Sequence, residues 1–176
     1  SLAVGGKGNM AILEDSEWTI SYAGLGGQVV QAVHWLSDEL MVIGLHGEFA
    51  VNRAAGAGVG IGYPGSWSSS VPQGAPSNDL RSVAVDSRND VWVTTNSRGA
   101  AVLGQSGWVD FIEELASKNQ LFACAADRFG GVFLAPWHYG VTWLDWKGTP
   151  DRSDDEVVTF NTSNSGILND QVREIA

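Results

Sequence analysis

Four side chains of related chemistry stand at one position relative to a glycine: Lys7 before Gly8, His46 before Gly47, Arg98 before Gly99 and Tyr139 before Gly140, with His138 next to the last. Lys7, His46 and Arg98 carry or can take up a positive charge, and gathering them at one mouth would focus a positive potential on an anionic ligand. A carboxylate or a sulfated sugar suits that chemistry. The competing reading is that long polar side chains occupy turns for solubility alone. Trp137, His138 and Tyr139 are consecutive, and an aromatic platform with hydrogen-bonding groups beside it is how proteins hold sugars and quaternary ammonium groups. Against this, the Pro136-Trp137 pair reads as a turn capped by its own aromatic cluster.

Nothing comparable points to catalysis. His34, His46 and His138 are the only histidines, with no serine elbow and no metal-binding histidine pair beside them, so no catalytic residue, metal or cofactor is expected. Gly56 to Gly62 is glycine at every second position, but it precedes no helix that could supply an anion site and reads as a mobile loop between strands. Asp86 to Asp90, and the cluster Asp151, Asp154, Asp155 and Glu156, hold oxygens that suit calcium, yet neither has the spacing of a complete calcium loop. The first reads as a turn capped by its own side chains and the second as a solvated, self-repelling loop. The single cysteine, Cys124, lies among alanines and suits a buried, inert thiol. Asn161-Thr162-Ser163 is a formal glycosylation sequon, relevant to a eukaryotic secretory source alone.

The elements that position these groups follow from composition and period. Lys+Arg 10 against Asp+Glu 20 leaves a net charge of -10, which argues against nucleic-acid binding and against polybasic docking on anionic membranes. The chain is 44% hydrophobic and 17% charged, enough apolar material for a sizeable core, and no apolar run approaches the roughly 18 residues that cross a bilayer. With 22 Gly and 5 Pro, short Val-, Ala-, Thr- and aromatic-rich runs are cut by turn formers every few residues, which predicts many short antiparallel strands. Phe111 to Ser117 is the one helix-like stretch.

A strand-turn-glycine-strand pattern recurs four times: Leu2 to Val4 before Gly8 to Ile12, Leu40 to Ile43 before Gly47 to Val51, Val91 to Thr95 before Gly99 to Leu103, and Val132 to Ala135 before Gly140 to Leu144. A preceding strand leads at Val29, Leu80, Leu121 and Val172, about 40 to 50 residues apart, and a late strand opens on Trp18, Trp67, Trp108 and Val157. Each repeat therefore holds four strands, the composition of a propeller blade. The approximate units are 1–27, 28–78, 79–119 and 120–170, with 171–176 starting or closing a blade. Length differences fall in Ala54 to Ser66 and Lys147 to Glu156, between third and fourth strands. Among the tryptophans, Trp18, Trp67 and Trp108 read as packing between blades and Trp92 and Trp143 as packing within them. Trp35, Trp137 and Trp146 remain open as contact residues.

The segment LRSVAVDSRNDVWVTTNSRGAAVL, with Asp86 closing one strand and Val91-Trp92-Val93 opening the next, resembles the two-component regulator propeller repeat. SNSGILNDQVREIA resembles that family's lead-in to a new blade. The resemblance implies an all-β propeller of four-stranded antiparallel blades, a sensor role in bacterial signalling, and a periplasmic or extracellular location. About four blade equivalents make either a closed four-bladed ring, if Val172 to Ile175 pairs with Leu2 to Val4, or an arc of a larger propeller whose edges pair with another chain. The expected function is a non-enzymatic binding module for an anionic small molecule, glycan or protein partner, with Lys7, His46, Arg98, Trp137, His138 and Tyr139 as ligand contacts. The alternatives are a propeller-type polysaccharide lyase using His138 and Tyr139 with Arg98 as charge neutraliser, and an assembly scaffold.

Overall fold

The computed structural model describes residues 2–6, 9–21, 29–37, 40–46, 58–63, 66–70, 77, 79–115 and 120–176. Its strands in chain order are β1 (Leu2–Gly5), β2 (Met10–Glu14), β3 (Glu17–Ser21), β4 (Val29–Trp35), β5 (Met41–His46), β6 (Gly58–Tyr63), β7 (Ser66–Ser70), β8 (Leu80–Val85), β9 (Val91–Thr95), β10 (Ala100–Gly104), β11 (Gly107–Asp110), β12 (Leu121–Ala126), β13 (Val132–Pro136), β14 (Val141–Asp145) and β15 (Glu156–Phe160). One short helix, α1 (Ile112–Leu115), falls inside the stretch that reads as helical, and Arg152–Asp154 forms a 3-10 turn. The strands make four antiparallel meanders, β1-β2-β3, β4-β5-β6-β7, β8-β9-β10-β11 and β12-β13-β14-β15. Tight turns set this topology: Asp15 and Ser16 join β2 to β3 with φ of 49° and 69°, the left-handed pair that matches the twist of a two-residue hairpin.

The chain divides into two compact units, one holding β1 to β7 and the other holding β9 to β15 with most of β8. In the first, Met10, Ile12, Val30, Met41, Ile43 and Leu45 form the core, with Ala3, Val33 and Trp35 packed against it. Val30 donates its backbone N–H to the Gly6 carbonyl at 3.0 Å, and a Cβ on Gly5 would collide with the Val30 carbonyl oxygen, so glycine is required where β1 approaches β4. In the second unit Trp92, Phe111, Leu115, Leu121, Leu134, Leu144 and Trp146 lie in one buried cluster. Trp92 stacks at 5.1 Å on Phe111 and meets Trp146 edge-on at 6.5 Å, geometries that suit the ring quadrupoles.

Several expectations need correction. The third strand of the second meander is β6, and Gly47 to Val51, expected in that place, lie outside the described residues. Gly58 to Gly62, expected as loop, is strand because its glycines alternate with Val59 and Ile61 at the strand's own period of two. The extra length of that repeat therefore precedes its third strand. Trp146 is 1% exposed and belongs to the core, whereas Trp18, expected to pack between blades, is 54% exposed. Residues 171–176 belong to no strand.

A carboxylate lock organises each turn between first and second strands of the second unit. Asp86 Oδ1 accepts the backbone N–H groups of Arg88 at 2.8 Å and Asp90 at 3.1 Å, while Oδ2 accepts the Trp92 indole N–H at 3.1 Å. Asp127 repeats the device, accepting from Phe129 N at 2.7 Å, Gly131 N at 2.9 Å and Trp143 Nε1 at 2.9 Å. The fourth residue of each turn, Asn89 or Gly130, has positive φ, which asparagine and glycine tolerate. Arg88 ties the two turns together, donating to the Gly130 carbonyl at 2.6 Å and to Asp145 Oδ1 at 2.8 Å. Lys147 bridges Asp145 and Glu156 at 2.8 and 3.1 Å, Arg152 pairs with Asp155 at 3.0 Å, and Asp151 caps the 3-10 turn through Ser153. The acidic loop, expected to repel itself, is thus ordered by two cations and a cap.

Candidate functional site

Antiparallel strands return their turns to alternate ends of a sheet, so the β9–β10 turn (96–99) and the β13–β14 turn (137–140) lie at the end opposite the carboxylate locks. The first is held by Thr95, whose hydroxyl accepts the Arg98 N–H at 2.9 Å and donates to the Gly99 carbonyl at 2.9 Å. Arg98 is left exposed at its tip. In the second turn His138 and Gly140 have φ of 61° and 77°. A Cβ on Gly140 would collide with the Phe160 carbonyl oxygen, and its N–H donates to the Asp170 carbonyl at 2.8 Å. The register glycine therefore exists to let the 161–170 loop cross behind the turn. Asp170 is itself fixed by Thr162, whose N–H and hydroxyl reach its carboxylate at 2.7 and 3.2 Å.

The two turns are linked. Trp137 N–H donates to the Gln120 carbonyl at 2.8 Å, and Gln120 Nε2 donates to Asn96 Oδ1 at 3.3 Å. Trp137 lies 4.8 Å from the Phe122 ring and 5.0 Å from the His138 ring. The Arg173 guanidinium sits over Phe122 at 4.6 Å and over Trp137 at 4.8 Å. Cation-π stacking fixes the guanidinium plane and leaves its in-plane N–H groups free to meet an anion. His138 and Tyr139 are exposed beside this cluster. Neither Arg98 nor Arg173 forms an ion pair among the described residues.

Of the residues singled out from sequence, Trp137, His138 and Tyr139 share one turn and Arg98 lies on the neighbouring turn at the same end of the second unit. Lys7 lies outside the described residues, and His46 closes β5 opposite Val29 with a side chain outside them. Arg173 and Phe122 were missed. Arg173 lies in Val172-Arg173-Glu174-Ile175, where the sequence shows a strand-like run and no sign of the ring contacts that hold the arginine.

No family model and no curated protein sequence matches the chain. Among solved structures, it is similar to the extracellular domain of a hybrid two-component system protein from B. thetaiotaomicron, with TM-score 0.66 and 17% identity over 93% of this chain and 22% of that one. It is also similar to YCF48 bound to D1 peptide, with TM-score 0.53 and 13% identity over 88% of this chain and 50% of that one. The chain thus spans about a fifth of the first and half of the second. These neighbours are β-propellers, and the four meanders are propeller blades. No helix among the described residues is long and apolar enough to cross a membrane.

Proposed function

We propose that the chain is a non-enzymatic, sensor-like propeller module of the two-component regulator type, working in the periplasm or outside the cell. It recognises an anionic small molecule or acidic glycan through Arg98, Arg173, His138 and Tyr139. The observation that supports this best is that Arg98 and Arg173, at one end of the second unit beside an aromatic cluster, have no ion-pair partner among the described residues, whereas Arg88, Lys147 and Arg152 are committed to carboxylates in a chain of net charge -10. A sugar acid would lay its ring edge near Tyr139 and His138 and its carboxylate or sulfate on the guanidinium groups. Titration with glucuronate and with a sulfated disaccharide, against neutral lactose, tests it. Arg98→Ala and Arg173→Ala should each weaken binding of the acidic sugars several-fold and reduce its salt dependence. Equal affinity in both variants overturns the reading.

A protein-partner reading is favoured by the edge strand β15, which exposes Val157, Val158 and Phe160 at 40%, 44% and 37%, and by the peptide held by YCF48. Exposed edges pair readily with another strand. Light scattering over a concentration range tests the self-association form of this reading, and a mass that stays at 18.7 kDa throughout removes it.

A further inference from the structure

The opposite end of the second unit carries a separate recess. About 350 Å³ in volume, it is lined by Arg88 and Asp90 of the carboxylate-lock turn, Gln105 and Ser106 of the β10–β11 hairpin, and Trp146 and Pro150 of the loop after β14. That volume holds a small molecule. Gly148, at φ of 78°, keeps the loop's wall free of a side chain where Arg88 passes.

Two lining groups are unexplained, the Asp90 carboxylate and the Trp146 indole, whose Nε1 is buried without a hydrogen-bond partner. Asp90 is 93% buried, its exposure being 7%, and its carboxylate makes no hydrogen bond or ion pair among the described residues, the lock using only its backbone N–H and C=O. Buried carboxylates are normally paired, because desolvation without compensation is costly. Arg88 does not supply the missing partner, since its Nη1 and Nη2 are spent on Asp86, the Gly130 carbonyl and Asp145. Asp86 is a second negative charge in the same turn, and its oxygens already take four donors, Arg88 N, Asp90 N, Trp92 Nε1 and Arg88 Nη1. The local balance around the recess is Asp86, Asp90 and Asp145 against Arg88 and Lys147, so the unsatisfied group faces a field that favours a cation. Burial, followed by the charge of Asp86, raises the Asp90 carboxyl above the ordinary range while Arg88 partly offsets them, as for a carboxylate lacking its counter-ion.

We propose that this recess binds a small primary ammonium ligand, with Asp90 as its counter-ion, Gln105 and Ser106 hydrogen-bonding from the rim, and Trp146 and Pro150 forming the wall. It is distinct from the anion-recognising end, so either can fail without the other.

The probes are ethanolamine, putrescine and neutral glycerol, titrated into the whole chain while backbone amide shifts are followed by NMR. Saturable shifts are expected at Asp90, Gln105, Ser106 and Gly148 with ethanolamine and putrescine, and not with glycerol. Asp90→Asn, which keeps the shape and removes the charge, should lower affinity at least ~10-fold, the effect of losing a charge-assisted contact. Ser106→Arg, on the exposed hairpin tip, leaves the core intact and sets a competing cation at the rim, so it should weaken binding even if Asp90→Asn folds poorly. Binding of glycerol as strong as that of the amines, shifts centred on Trp137 and Arg173, unchanged affinity in Ser106→Arg, or no saturable shift with either amine would each overturn the proposal.

Discussion

Replacing Asp86 by alanine isolates the physics of the carboxylate lock. Its side chain is completely buried and accepts three hydrogen bonds of 3.1 Å or less, from Arg88 N, Asp90 N and Trp92 Nε1. The fourth contact, Arg88 Nη1 at 3.4 Å, involves a partly exposed guanidinium and contributes little. Each buried donor left without an acceptor costs about 1–3 kcal/mol. Arg88 N can recover water because its turn is part-exposed, but the indole of Trp92, at 0% exposure, cannot. The loss should therefore be about 3–5 kcal/mol, from the buried Asp90 N–H and Trp92 indole left without an acceptor. With a urea m-value of about 2–3 kcal/mol/M, the midpoint should fall by about 1–2 M at constant m. Asp127→Ala supplies the control, because it removes the same three bonds from a site where both Asp127 and Trp143 are only half-buried. Water replaces the lost acceptor there, and the expected loss is about 1–2 kcal/mol. A loss below about 1 kcal/mol for Asp86→Ala, or one no larger than that of Asp127→Ala, refutes the account of buried donors as the source of the cost.

Asp90 should show the opposite sign. A carboxyl whose folded pKa is raised binds more protons folded than unfolded, so stability falls as pH rises through the unfolded value near 3.9 and then the higher folded one. Asp90→Asn should accordingly match or exceed wild-type stability at pH 7, with the difference vanishing below pH ~4; urea midpoints across pH 3 to 7 check this, and a variant less stable at pH 7 than at pH 4, relative to wild type, contradicts it. Cys124 is buried and its thiol is pushed up to about 12 by that burial, with the Ser82 hydroxyl offsetting a part. It should resist iodoacetamide at pH 8 in the folded chain and react only on unfolding; prompt labelling of native protein would show that β12 opens readily.

The blade pattern was legible because strand period and turn chemistry are local. Asp86 to Thr95 carries its own instructions: a carboxylate positioned to accept from the next turn residues, Asn89 able to take positive φ, and Val91 to Thr95 buried throughout as the second strand. The two misreadings have different causes, one local and one not. Gly56 to Gly62 reads as a loop because its glycines resemble a phosphate loop, yet the alternation of Gly58 to Tyr63 matches β6 residue for residue. Trp146 was left as a surface contact because it follows β14 beside a turn, yet its ring fills the space that Gly104 vacates, where a Cβ would come within 2.7 Å of Cη2. That fit is set by two residues 42 positions apart in sequence, and no local signal carries it.

The same distinction separates the two ends of the second unit. Trp137, His138, Tyr139 and Arg98 could be named from sequence because each stands beside a glycine that marks the blade register. Arg173 and Phe122 could not, since their contact joins residues 51 positions apart, one on β12 and the other outside any strand. Asp90 was hidden more thoroughly. In sequence it is one acid among several in a turn, and its neighbour Asp86 has every hydrogen bond a turn requires. Only the burial of a carboxylate that the turn does not need distinguishes it. The turn draws on the backbone of Asp90 and on the carboxylate of Asp86, so the Asp90 charge contributes no hydrogen bond to the turn, and the proposed ammonium ligand would give that charge a partner.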